Sequence, residues 1–179
     1  SAAVWKEAIT RLCAMGVVNF AFTGGEALLR EDLFGIIDHA ASCTAWHLET
    51  EHEALVERAG RPRLYLLSNG LLVDETVVAF CKEREVTLSM SLPGLSTFAG
   101  HTEQDTADHV LAMFRLCRET GLKTTANITV TRKNLPELEE TISAALLAGA
   151  EQILLNRFLP GGRGLAHADA LSLNRDELV

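Results

Sequence analysis

Five short β-prone runs alternate along this chain with stretches of helical periodicity, and that alternation limits the architectures it can adopt more than any other feature. Trp5, Ile9, Leu12 and Cys13 recur at helical spacing and stop at Gly16. Val17–Phe22 is then β-branched and aromatic, and it breaks at Thr23-Gly24-Gly25. Leu33, Ile36, Ile37 and Ala40 mark a second helix, and Leu64–Ser68 a second strand ending at Asn69-Gly70. Val77, Val78 and Cys81 predict a short helix that Asp74 would cap. Strands are predicted again over Val86–Leu92, Lys123–Thr131 and Gln152–Phe158. Between them Val110, Met113, Leu116 and Cys117 form one helical stripe ending at Gly121, and Leu135, Leu138, Ile142 and Leu146 another. Asn134 with Glu137 three residues on has the spacing of a capping box. The polar stretch 42–63 fits neither period and is expected to be an insertion, partly helical.

Strands separated by helices imply βαβ crossovers and a parallel sheet covered by helices. An eight-stranded barrel takes about 250 residues, and this chain has 179. The predicted class is therefore α/β, a partial (β/α)6-type, TIM-like barrel truncated to about five parallel strands with outer helices, in a single domain over 1–179. Sixteen Lys and Arg against twenty-four Asp and Glu give a net charge of −8, which disfavours nucleic acid and anionic membranes as partners. The longest apolar runs are too short to span a bilayer, and a folded protein of cytoplasmic type is expected. The start at Ser1 without Met is what a chain cut from a longer one would show. Cys13, Cys43, Cys81 and Cys117 are 30, 38 and 36 residues apart, so they have no metal-ligand spacing and are expected to pack as small hydrophobes.

The strand faces narrow the choice further. Thr87, Ser89 and Ser91 alternate with Val86, Leu88, Met90 and Leu92; Thr125, Asn127 and Thr129 alternate with Thr124, Ala126, Ile128 and Val130. Side chains change face with period two, so hydroxyls and amides from neighbouring strands share one surface, as in a polar ligand cavity. In parallel α/β folds ligands bind beyond the carboxyl ends of the strands. There the chain carries Thr23-Gly24-Gly25-Glu26, Ser68-Asn69-Gly70, Ser91-Leu92-Pro93-Gly94 and Asn156–Gly164. Paired glycines admit a ligand close to the backbone, and a carboxylate beside them accepts hydrogen bonds from an ammonium group. Gly161-Gly162-Arg163-Gly164 also has the composition of a phosphate-binding nest.

In this order the segments resemble the radical S-adenosylmethionine (radical SAM) superfamily over nearly the whole chain. Phe20-Ala21-Phe22-Thr23-Gly24-Gly25-Glu26 is similar to the second strand and GGE motif, and Leu67-Ser68-Asn69-Gly70 to the third-strand element. Ser89-Met90-Ser91-Leu92-Pro93-Gly94 resembles the fourth strand, Thr125-Ala126-Asn127-Ile128-Thr129-Val130 the fifth, and Asn156–Gly164 the sixth with its glycine-rich loop. The resemblance implies that Gly24, Gly25 and Glu26 hold the methionine ammonium of S-adenosyl-L-methionine. It implies that Ser68, Ser91, Thr125 and Asn127 contact carboxylate and ribose, and that the Leu159 backbone meets the adenine. It implies an enzyme that cleaves S-adenosylmethionine reductively at a [4Fe-4S] cluster, giving a 5′-deoxyadenosyl radical that abstracts hydrogen from a small-molecule or peptide substrate. An electron donor such as flavodoxin or ferredoxin would serve it.

The family's CxxxCxxC cluster motif is absent from this sequence. The expectation is a core lacking the first strand and cluster loop, inactive by itself, whose parent does the chemistry. The exposed sheet edge predicts dimer contacts or disorder near Val17–Thr23 and 42–63. Pro93 stands where the family usually has Asp, and of its HDxxR stretch His101 remains, with Gln104 near the Arg position. His47 and His52 sit among glutamates in what reads as a solvated stretch, and His39, His109 and His167 have no catalytic context. The alternatives are a non-catalytic α/β module for a phosphorylated small molecule and a degenerate scaffold for partner contacts.

Overall fold

The computed structural model describes residues 1–51, 54–102 and 106–178. His52, Gln104 and the Arg163 side chain, singled out above, lie outside the described residues. In chain order the elements are α1 (Ala2–Ala14), β1 (Asn19–Phe22), α2 (Leu33–Ser42), β2 (Ala45–Glu51), β3 (Ala54–Gly60) and β4 (Arg63–Ser68). Then follow α3 (Glu75–Glu83), β5 (Val86–Ser91), α4 (Asp108–Thr120), β6 (Thr124–Val130), α5 (Leu138–Ala148), β7 (Gln152–Arg157) and the short α6 (Ala168–Leu171). Five strands form one parallel sheet in the order β1-β4-β5-β6-β7. The sheet curls into a half-barrel, as the alternation predicts.

The core lies on the convex side, where the apolar half of each strand meets the helices. Leu64, Leu66, Val86, Leu88, Met90 and Ala126 form one buried cluster with Ile36, Ile37, Ala40, Val78, Cys81, Val110, Phe114, Cys117 and Ala145. Asp74 caps α3 by accepting from the Val77 amide at 2.9 Å. α4 stops at Gly121, whose φ of 69° is the left-handed conformation that glycine adopts without a Cβ penalty.

Two expectations are corrected here. Beyond Ser42, the last residue of α2, the described residues of 42–63 contain no helix. They form an antiparallel hairpin, β2 on β3, in which Trp46 faces Ala59 and Leu48 faces Glu57. The charges that hide its strand pattern are cross-strand pairs: Arg58 meets Glu51 at 2.5 Å and Glu49 at 3.2 Å. The Asn134/Glu137 capping box also does not form. Asn134 Oδ1 instead accepts from the Thr131 amide at 2.7 Å, while its amide donates to the Pro93 and Thr129 carbonyls at 2.5 and 2.9 Å.

Glu137 reaches across to the loop after β5. Its carboxylate accepts from the amides of Leu95, Ser96 and Thr97 at 3.0, 2.9 and 3.0 Å and from the hydroxyls of Ser96 and Thr97. His101 adds a second tie, with Nδ1 on the Thr97 carbonyl and Nε2 on Thr131 Oγ1, both at 3.1 Å. The loops after β5 and β6 are thereby clamped into one rim at the carboxyl ends of the strands.

Candidate functional site

Helices cover only the convex face, so the polar half of each strand lines a concave surface. Register places Leu67, Ser89, Thr125 and Gln152 side by side across four strands. One step nearer the carboxyl ends, Ser91, Asn127 and Leu154 form the next row, and then Thr129 and Asn156. The concave surface holds a hollow of about 670 Å³ lined by Asn19, Ala21, Tyr65, Leu67, Ser89, Thr125, Gln152, Ile153 and Leu154. Thr125 Oγ1 donates to Gln152 Oε1 at 3.3 Å, and Asn156 donates to Asn127 Oδ1 at 2.9 Å, so the polar groups are oriented by one another.

Glu26 stands at the end of β1, where the chain turns into a short 3-10 segment, Ala27–Leu29. Its Oε1 accepts from the Leu28 amide at 3.1 Å and its Oε2 from the Asn69 amide at 2.7 Å. The second bond spans 43 residues and ties the β1 turn to the end of β4. Ser68 pairs with Met90 in the sheet, so Asn69 sits one step beyond, level with Ser91 and Asn127. The Glu26 carboxylate thus anchors to the row that carries Ser91 and Asn127. Gly24 and Gly25 precede it, both exposed, and a Cβ built on either would meet nothing within 4 Å. No protein atom requires glycine there, and the space above the two residues is open.

Of the residues singled out in the sequence, Gly24, Gly25, Glu26, Ser91, Thr125 and Asn127 fall on the concave surface or its rim. Ser68 does not. It shares the convex face with Leu64 and Leu66, is buried, and its hydroxyl accepts from the Gly70 amide at 3.0 Å to close a turn. Leu159 is exposed in the loop after β7. The Gly164 amide donates to the Gly161 carbonyl at 2.9 Å, closing the first turn of a 3-10 segment over 162–167. Ser89 lies on the surface as its phase with Ser91 predicts, and Asn156 opens the segment 156–164 singled out at the strand ends, whereas Tyr65 also lines the hollow and carries no sequence signal for it.

The cysteines do not fit an iron–sulfur cluster. Cys13, Cys81 and Cys117 are buried in the helical layer, Cys43 is half-buried, and no group of metal-ligating side chains comes together among the described residues. Burial, with Cys117 close by, pushes the Cys81 thiol up to about 12; burial raises Cys117 to about 11, and burial with Cys43 beside it raises Cys13 to about 11. They stay protonated thiols. Alkylation of the native protein at pH 8 should therefore modify Cys13, Cys81 and Cys117 at least about 100-fold more slowly than after denaturation, read by mass spectrometry. Rapid native labelling of any of the three would overturn their assignment to the core.

The profile of the radical SAM superfamily matches residues 1–145. The chain belongs to the radical SAM superfamily. It is 23% identical over 186 residues to a PqqA peptide cyclase of Granulibacter bethesdensis, covering 97% of this chain and 43% of that protein. The radical SAM chain described here thus spans less than half the length of this curated relative. The crystal structure of Streptococcus suis SuiB bound to S-adenosylmethionine superposes with a TM-score of 0.71 at 14% identity, covering 89% of this chain and 34% of that one. SuiB bound to its precursor peptide SuiA superposes at 0.69, again at 14% identity, covering 88% and 33%.

Proposed function

We propose that this radical SAM segment forms the S-adenosylmethionine-binding wall of a peptide-modifying enzyme. The observation that carries the reading is the open, exposed glycine pair Gly24–Gly25 beside a carboxylate already oriented by two backbone amides. An α-ammonium would take the unoccupied lone pairs of Glu26. The α-carboxylate and ribose hydroxyls would face Ser91, Asn127 and Thr125, and the backbone at Leu159 would close over the adenine. When bound beside an iron–sulfur cluster, S-adenosylmethionine supplies the radical that takes a hydrogen atom from substrate. The thiolates for that cluster are not among this chain's cysteines. A peptide substrate is inferred from the similarity to the PqqA peptide cyclase. An electron donor of the flavodoxin or ferredoxin type and a cytoplasmic setting belong to the same proposal.

Titration calorimetry with S-adenosylhomocysteine tests it on Gly24→Ala and Gly25→Ala. Because the added Cβ meets no protein atom, stability should hold or rise by about 0.4–1 kcal/mol. Affinity should fall about tenfold or more, since the methyl occupies space meant for ligand. Unchanged affinity in both variants would remove the glycine pair from the site.

A further inference from the structure

The opposite mouth of the half-barrel, at the amino-terminal ends of the strands, holds a second cavity of about 510 Å³. Cationic side chains from several elements line it: Arg61 from the β3–β4 connection, Arg63 opening β4, Lys82 and Arg84 from the end of α3, and Lys123 before β6. Glu85 and Glu151 are the carboxylates in the same lining. A chain of net charge −8 has gathered a net positive cavity from separate segments, so the clustering is not the solvated face of one helix.

The five cations are not equivalent. Lys82 donates to the Gly121 carbonyl at 2.6 Å, and Arg84 is committed to Asp38 at 2.7 Å and to Glu83 while lying over the Phe80 ring. The side chains of Arg61, Arg63 and Lys123 make no hydrogen bond or ion pair with the described residues. Three cations unpaired among the described residues thus sit on a wall that the other two help to fix.

Glu85 supplies an independent observation. It follows the carboxyl end of α3 with φ 57°, the left-handed conformation that usually selects glycine. Among the described residues it is the single non-glycine with positive φ. The residue at this left-handed position lies in the lining of the cavity.

We infer that this amino-terminal mouth is a binding site for a small oxyanion-bearing molecule, a phosphate ester or a polycarboxylate, held by Arg61, Arg63 and Lys123. Guanidinium forks match both anions bidentately, and the cavity has room for more than the anionic group alone. Glu85 limits the site to ligands that place a hydrogen-bond donor beside the anion and weakens bare anions. The site is independent of the Glu26 end of the barrel.

Calorimetric titration of the purified protein with pyrophosphate and, separately, citrate decides the matter and distinguishes the two sources of oxyanion. Binding of either is expected to weaken about tenfold in Arg63→Gln and in Lys123→Gln and about 50-fold or more in the double variant. Glu85→Gln should tighten it severalfold, and Arg115→Gln, an exposed arginine on α4, should stay within about twofold. Melting curves without ligand confirm that each variant is folded. Failure of both anions to bind, or binding that ignores Arg63 and Lys123, overturns the proposal.

Discussion

Replacing Gly94 by alanine will destabilise the protein by about 2–3 kcal/mol at neutral pH, although alanine ordinarily stiffens the unfolded chain and stabilises by a few tenths. The Cβ would overlap Glu137 Oε1 and Thr97 Oγ1. Neither atom can yield cheaply, because the carboxylate is held by three backbone amides and two hydroxyls. Glu137→Ala should itself cost about 2 kcal/mol by leaving those donors without their charged acceptor. Because both changes remove the same contacts, the double variant should cost little more than either single one, and urea denaturation of all four proteins measures the coupling. Burial works to raise the Glu137 pKa, but hydrogen bonds from Ser96 and Thr97 outweigh it and hold the group down to about 2. A depressed carboxyl pKa gives stability that is complete above the unfolded value near 4.5 and fades as pH falls toward 2. The gap between wild type and Glu137→Gln should accordingly be full at pH 7 and nearly closed at the lowest accessible pH. Additive costs, or a gap independent of pH, would show that the rim is held by something else.

The same clamp shows where reading from sequence stops. The five parallel strands were legible because β-branched runs of period two alternate with stripes of period 3.6, and each period reports its own burial. The hairpin was not, since Glu49, Glu51 and Arg58 interrupt the apolar pattern and only cross-strand pairing explains them. Asn134 and Glu137 carry a valid local signature, yet the donors that Glu137 satisfies lie about forty residues upstream. Local spacing cannot reveal a competing partner brought in by the fold. Ser68 fails for a different reason. Its phase with Leu64 and Leu66 already assigned it to the buried face, and the resemblance of Ser68-Asn69-Gly70 to a binding element overrode that parity. Gly24, Gly25 and Glu26 were legible as a strand-end cluster, whereas the bond from Glu26 to the Asn69 amide depends on β4 lying beside β1, which sequence order does not state.

That bond makes the largest binding effect predictable. Glu26→Gln should lower affinity for S-adenosylhomocysteine about 30-fold or more, which corresponds to about 2 kcal/mol. The carboxylate accepts from Leu28 through one oxygen and from Asn69 through the other, and each oxygen keeps a lone pair directed outward. Glutamine offers one acceptor oxygen, so its NH2 must confront one of the two amide donors, and the negative charge opposite the ammonium is lost. Stability should fall by about 1 kcal/mol from the forfeited backbone contact. Asn69→Ala separates the two consequences. Its side chain only closes the local turn on the Leu71 amide at 2.9 Å, and it leaves the Asn69 backbone donor to Glu26 in place. This variant should lose comparable stability while keeping affinity within about threefold. If Glu26→Gln loses stability but binds the nucleoside as wild type does, Glu26 is a strut between β1 and β4. That result would overturn its proposed role opposite the ammonium.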